Sequence, residues 1–244
     1  MSLKSEAAKL YLSYLWWIIE PVLYVLTFYF VFEVLLQFNR GENFIFFLMC
    51  GKVPFLWFSK SVTGGSGSIV SGKGLINQRD VPKALFPYVT VQEVLYRQWV
   101  VFLVLFGIAF YFGAFPTWNW LYLVPLMLVQ YVLILVCTMV AAYLVSFVRD
   151  VRVLVGLGMM CLMFTSGIFW DVSRIQDPHM QSMLLTWNPL AFLIDGYRGI
   201  IMRNEVYDVV HLAALGGVVA ILLALVHGLY IAHSRLLATK VLSS

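Results

Sequence analysis

Long apolar runs alternate along this chain with short segments that hold nearly all of its charge. A helix crossing a hydrocarbon core of about 30 Å needs about 20 predominantly apolar residues. Six runs meet that length, at residues 15–38, 44–62, 98–115, 121–147, 153–170 and 209–233. The pattern predicts an all-α integral membrane protein with six transmembrane helices in a single domain covering residues 1–244. The second run is the weakest by hydrophobicity, because Lys52 and Pro54 lie within it and Lys60 at its end.

Lys and Arg near span ends are retained in the cytoplasm. With the N-terminus inside, the cytoplasmic segments hold Lys4, Lys9, Lys60, Lys73, Arg79, Lys83, Arg97, Arg149, Arg152, Arg235 and Lys240. The outer segments hold only Arg40, Arg174, Arg198 and Arg203, among more numerous carboxylates. Both termini are therefore expected to be cytoplasmic. Two segments outside the spans are long: 63–97 on the cytoplasmic side and 171–208 on the outer side.

Composition agrees, with 62% hydrophobic residues, 16% aromatic, 11% charged and a mean hydropathy of +0.89. A soluble domain has about 45–50% apolar and about 25% charged residues. The formal charge of +4 follows from topology and calls for no nucleic acid. The first run is too long for a signal-peptide core and has no small-residue cleavage pattern after it, so a retained helix is expected. Cys50, Cys137 and Cys161 lie in apolar runs without metal-ligand spacing, as small buried hydrophobes do.

The stretch "GSIVSGKG" at residues 67–74 follows the G-x-x-x-x-G-K pattern of a phosphate-binding loop up to Gly74, where a Ser or Thr should hold Mg²⁺. No buried strand is evident before it, and Pro82 cuts short any helix starting at Lys73. The reading is a flexible loop. Beyond it, Leu75, Ile76, Val81, Leu85 and Phe86 mix with Lys73, Arg79, Asp80 and Lys83. Such a basic amphipathic segment lies along headgroups or docks into a partner's groove.

The outer segment reads as two short helices broken at "WNP", with Asn188 capping the second and Pro189 in its first turn. Asp195 and Arg198, three apart, are placed to pair on one face. An apolar broken pair suits a re-entrant gate or an interfacial loop, and the pattern leaves both open. Inside the spans, Glu33 and Lys52 belong to the outer halves of neighbouring helices and form a candidate ion pair. Glu20 with Tyr24, Phe28 and Phe32 makes a stripe at helical spacing, suited to packing or to a path for sugars.

The stretches "LSYLWWIIEPVL" (12–23), "FFLMCGKVPFLWFSKSVTGGSGSIVSGKGLI" (46–76), "VPKALFP" (81–87), "VRDV" (148–151) and "WNPLAFLIDGYRGIIM" (187–202), in that order, resemble membrane permeases of polysaccharide-exporting ABC transporters. That family includes the O-antigen, capsule and teichoic-acid exporters. The resemblance implies a homodimer forming a channel for a lipid-linked glycan in the bacterial inner membrane, powered by two copies of a cytoplasmic ATPase. ATP and Mg²⁺ would then belong to the partner, with no cofactor and no catalysis on this chain. Lys73, Asn77, Arg79, Asp80 and Lys83 are implied as the coupling segment, with Arg149 and Asp150 as a second cytoplasmic contact. Glu20, Tyr24, Phe28, Phe32, Phe164, Phe169 and Trp170 are implied to line the channel. Trp187, Asn188, Pro189, Asp195 and Arg198 are implied in outer gate helices at 178–185 and 189–203. An export permease for drugs or small lipids is the alternative. A membrane-embedded transferase would need a carboxylate pair or an Asp/His cluster, which the scattered His179, His211, His227 and His233 do not supply.

Overall fold

The computed structural model describes residues 44–243, with isolated earlier positions at Ile19, Leu23, Leu26, Thr27, Phe30 and Val31. Most of the expected first span, 15–38, lies outside the described residues, among them Glu20, Tyr24, Phe28, Phe32 and Glu33. Among the described residues there are helices and turns and no strand. The order is α1 (Phe44–Ser66), two short helices α2 (Ser68–Ser71) and α3 (Lys73–Gln78), and the long α4 (Leu85–Tyr111). A 3-10 turn (Trp118–Tyr122) leads into α5 (Leu123–Phe147), followed by α6 (Val151–Thr165). Then come α7 (Pro178–Trp187), α8 (Pro189–Arg198) with a π turn (Gly199–Arg203), α9 (Val209–Ala232) and α10 (Ser234–Ser243).

Among the described residues, four helical stretches are long and apolar enough to cross a membrane: Phe44–Ser66, Leu85–Tyr111, Trp118–Phe147 and Val209–Ala232. Their burial assigns them different roles. In α1, 78% of the most apolar window is buried within the protein, against 11% in α9. The run with the weakest hydropathy is thus the central helix, where lysine and proline are enclosed by protein and lipid contact is small. Conversely, α9 turns Val210, Ile221 and Leu225 outward, as a lipid-facing helix does.

Aromatic rings and small residues set the packing around α1. Trp57 meets Phe102 of α4 edge-on at 6.0 Å and stacks with Tyr131 of α5 at 6.4 Å. One face lower, Gly65 lies so close to α5 that a Cβ there would overlap Cγ2 of Thr138. Without a hydrophobic drive between helices in lipid, such close backbone approach supplies the attraction.

Pro54 has no N–H to continue the helical ladder, and polar side chains from two neighbours gather at that point. Gln98 Nε2 of α4 donates to the Val53 carbonyl and Gln130 Nε2 of α5 to the Pro54 carbonyl, each at 2.9 Å. Both amides are buried, and they lock α4 and α5 to the proline turn of α1.

Two expected boundaries are corrected. The third span was expected at 98–115, but α4 starts at Leu85. Residues 85–97 thus continue that helix rather than a cytoplasmic loop. Glu93 and Arg97 interrupt the apolar run without interrupting the helix, and Pro87 sits in the first turn, where its missing N–H costs nothing. The fifth span was expected at 153–170, but α6 ends at Thr165. The chain then turns through Gly167 at φ +74, a conformation that favours glycine. Ile168, Phe169 and Trp170 extend the hydropathy and not the helix. At 15 residues and about 1.5 Å each, α6 rises only about 22 Å.

Candidate functional site

The early end of α6 leaves four carbonyls without helical partners at a place surrounded by apolar residues. Residues singled out in the sequence converge on this helix end and on the turn after it. Trp170 Nε1 donates to the Phe164 carbonyl at 2.9 Å. Asn188 Nδ2 reaches the Thr165 carbonyl at 3.4 Å and Ser166 Oγ at 3.2 Å. Arg198 donates through Nη1 to the Gly167 carbonyl (2.6 Å), through Nη2 to that of Ile168 (2.8 Å) and through Nε to that of Phe47 in α1 (3.3 Å).

Arg198 is 1% exposed, with its guanidinium 3.5 Å from the centroid of the Phe47 ring. A planar five-donor fork suits three divergent carbonyls and a ring face together. Room for it comes from Gly51, where a Cβ would lie 2.5 Å from Nη2.

The two short helices α7 and α8 form as their cap residues dictate. Asp177 accepts from His179 N–H at the start of α7, and Asn188 accepts from the N–H groups of Leu190 and Ala191 at the start of α8, with Pro178 and Pro189 in the first turns. Nearly all of α8 is buried, whereas α7 has no buried residue and leaves Met180, Met183 and Trp187 exposed. Tyr197 Oη donates to Gln130 Oε1 at 2.7 Å, so α8 is joined through Gln130 to Pro54 of α1.

The expected Asp195–Arg198 pair is corrected. Arg198 turns inward to the carbonyls, while Asp195 pairs with Arg203 at 2.8 Å, brought round by the π turn. Arg203 also faces Glu205 at 3.5 Å and Asp171 at 4.0 Å. One arginine thus clasps carboxylates from three segments.

Of the expected lining residues, Phe164 and Phe169 have ring centroids 5.5 Å apart at the end of α6, and Phe164 is exposed. Lys52 is buried in α1, its Nζ 3.1 Å from Met163 Sδ of α6 and 5.7 Å from the Phe55 ring centroid. Its expected partner, Glu33, lies outside the described residues.

At the opposite end, α2 and α3 form a short ledge. Lys73, Leu75, Asn77, Arg79 and Asp80 are exposed on it, while Ile76 packs inward with Leu237 and Val241 of α10. Lys83 departs from the expected surface role, being buried with Nζ donating to Asp80 Oδ1 at 2.8 Å. That hydrogen bond, with the lysine's charge, holds the Asp80 carboxyl below the ordinary carboxylate range. Arg149 and Asp150 are exposed in the turn before α6, and the Arg152 guanidinium on the first turn of α6 lies over Gly67. The turn and the ledge are therefore neighbours.

The stretch "GSIVSGKG", expected as a flexible loop, instead forms α2 and the start of α3, and two of its three glycines have packing reasons. The element before them is the helix α1, Gly67 faces Arg152, and a Cβ at Gly72 would overlap the Phe86 ring. Gly74 faces open space. Gly72→Ala should therefore lower thermal stability by about 1–3 kcal/mol through overpacking, while Gly74→Ala should change it by less than about 0.5 kcal/mol. Melting curves of the two purified variants check this, and equal sensitivity would refute the packing account.

Sequence reasoning missed Gly51, Gln98, Gln130, Tyr197 and Arg203. The two glutamines carried a signal, as uncharged amides at or inside apolar runs, but attention to charges alone passed over them. Among the described residues no three His, Cys, Asp or Glu side chains converge as a metal set.

No family model matches the chain. Curated proteins do. It is 28% identical to the O-antigen export system permease protein RfbA of Myxococcus xanthus, over 91% of this chain and 85% of that protein. It is 25% identical to the protein of the same name from Klebsiella pneumoniae, over 85% of this chain and 80% of that one. To the polysialic acid transport protein KpsM of Escherichia coli it is 26% identical, over 86% and 81% respectively. Over most of its length, then, this multi-pass membrane chain is a homologue of polysaccharide-export permeases, as its motifs indicate.

Proposed function

We propose that this chain is the channel-forming subunit of an ABC exporter for a lipid-linked polysaccharide of O-antigen or capsule type. Two copies would work with two copies of a separate cytoplasmic ATPase in the bacterial inner membrane. The observation that carries the reading is the broken end of α6. Its free carbonyls at Phe164 and Thr165 are met by Trp170 and Asn188, and those of the turn after it, at Gly167 and Ile168, by Arg198, which suits irregular backbone held at membrane depth by protein. In this reading α7 and α8 are re-entrant gate helices on the outer side, α6 is a span completed by them, and 15–38 supplies the remaining span. Both termini lie in the cytoplasm.

The working cycle follows from the connections. The exposed face of α3 offers Lys73, Asn77, Arg79 and Asp80 to the ATPase, with Arg149 and Asp150 alongside. Closure of the ATPase dimer pushes this ledge. The push passes through Gly67 and Arg152 into α6, whose other end is tied to the gate. A differential contact of this kind biases the channel between two packings. Sugars slide over exposed ring faces such as Phe164, where stacking is weak enough to release.

Co-purification from native membranes tests the reading. An ATP-hydrolysing subunit should accompany the wild-type chain and be lost from Arg79→Ala/Asp80→Ala, with no hydrolysis by the chain alone. Hydrolysis by the isolated chain, or repeated purification without an ATPase, would overturn it.

A further inference from the structure

A cavity of about 260 Å³ lies where the loop after α3 meets the junction of α9 and α10. Its walls are Asp80, Pro82, Lys83 and Ala84 on one side and His227, Tyr230, Ile231 and Ser234 on the other. The coupling and gating reading leaves it without a task. Its chemistry is mixed in a particular way. Lys83, 4% exposed, provides a buried ammonium, and Ser234 provides a hydroxyl at the first residue of α10. Arg235 is the next residue and lies near enough to Asp80 to act on its charge. The other walls are fixed: Tyr230 Oη donates to the Met139 carbonyl at 2.8 Å, and the His227 ring lies edge-on to Tyr88 at 6.2 Å.

Position narrows the occupant. The cavity lies at the end of a helix long and apolar enough to cross a membrane; Ile231 of its wall is exposed, as is Leu85, the residue next to the wall's Ala84. A protein side chain would want a polar rim; an acyl chain wants this one. We propose that the cavity holds the phosphate headgroup of an anionic membrane phospholipid, with the phosphate on Lys83 and Ser234 and the chains along Leu85 and Ile231. A lysine ammonium has three donors, so Lys83 can keep Asp80 and meet a phosphate oxygen. Bound there, the lipid bridges the segment after the α3 ledge to the last span and α10. The proposal needs no ATPase partner and stands apart from the exporter reading.

Native mass spectrometry of the detergent-purified chain, titrated with phosphatidylglycerol or phosphatidylcholine, tests it. The wild type should retain one phosphatidylglycerol in preference to phosphatidylcholine. Lys83→Gln should weaken retention about fivefold, the worth of one basic residue at an anionic surface, and Ser234→Phe should abolish it by filling the cavity. Asp80→Asn, which removes the competing carboxylate, should strengthen retention, a gain that misfolding cannot produce. Equal retention by all four proteins, or weaker retention by Asp80→Asn, would overturn the proposal. So would displacement of the lipid by inorganic phosphate at equal concentration, which would mark a site for the free ion.

Discussion

Replacing Arg198 by Ala should release α8 from the end of α6 and open the protein around Cys50. The Gly167 and Ile168 carbonyls lose their donor, and the Phe47 carbonyl, inside helix α1, loses a second one. An unpaired buried polar group costs about 1–3 kcal/mol, so the two carbonyls of the turn alone consume a sizeable part of a total stability of about 5–15 kcal/mol. Arg198→Lys should recover little, because a single ammonium cannot span three carbonyls held for a planar fork. Cys50 reports the change directly, being wholly buried beside Gly51. In a chain carrying Cys137→Ala and Cys161→Ala, maleimide labelling of Cys50 should be negligible with Arg198 present and rapid in Arg198→Ala. Equal protection would show that α8 is held by its apolar face alone.

Gly65→Ala should separate α1 from α5, and a second substitution should bring them back. The added Cβ meets Cγ2 of Thr138, which a β-branched side chain on a helix cannot easily turn aside. Overpacking of this kind costs about 1–3 kcal/mol. Thr138→Ser removes the offending methyl and keeps the hydroxyl, so Gly65→Ala/Thr138→Ser should melt close to the wild type. The measurement is the melting temperature of the wild type and the two variants in one detergent. Failure of the double variant to recover would place the strain in the backbone rather than at this methyl.

The two effects divide according to where the information lies in the chain. Apolar run length placed α1, α5 and α9 within a few residues, since crossing hydrocarbon requires that length whatever the neighbours are. Asn188 and Pro189 announced the start of α8 because a cap and a first-turn proline act on adjacent backbone. The exposed charges of the ledge were legible for the same local reason, but its helices were not, since the glycines of 67–74 read as a loop and α3 forms from Lys73 to Gln78, before Pro82 is reached.

Hydropathy failed at the ends of α4 and α6. It cannot tell an apolar helix from an apolar turn, so Ile168, Phe169 and Trp170 looked like a continuing span. It also took Glu93 and Arg97 for the edge of a helix that runs through them. Arg198 appeared in the sequence with Asp195 as its natural partner. Only the fold shows that the better partners are carbonyls far away along the chain, at position 47 in α1 and at 167 and 168 in the turn that follows the end of α6.

The sequence by itself determined that the chain lives in a membrane, which runs are long enough to cross it, and where α7 and α8 start. Each of these depends on residues within one or two turns of each other. The tertiary structure decided which helix is central, where α6 stops, and which donors satisfy Pro54 and the end of α6. Those outcomes depend on burial and on hydrogen-bond partners between distant segments, and no local pattern encodes them.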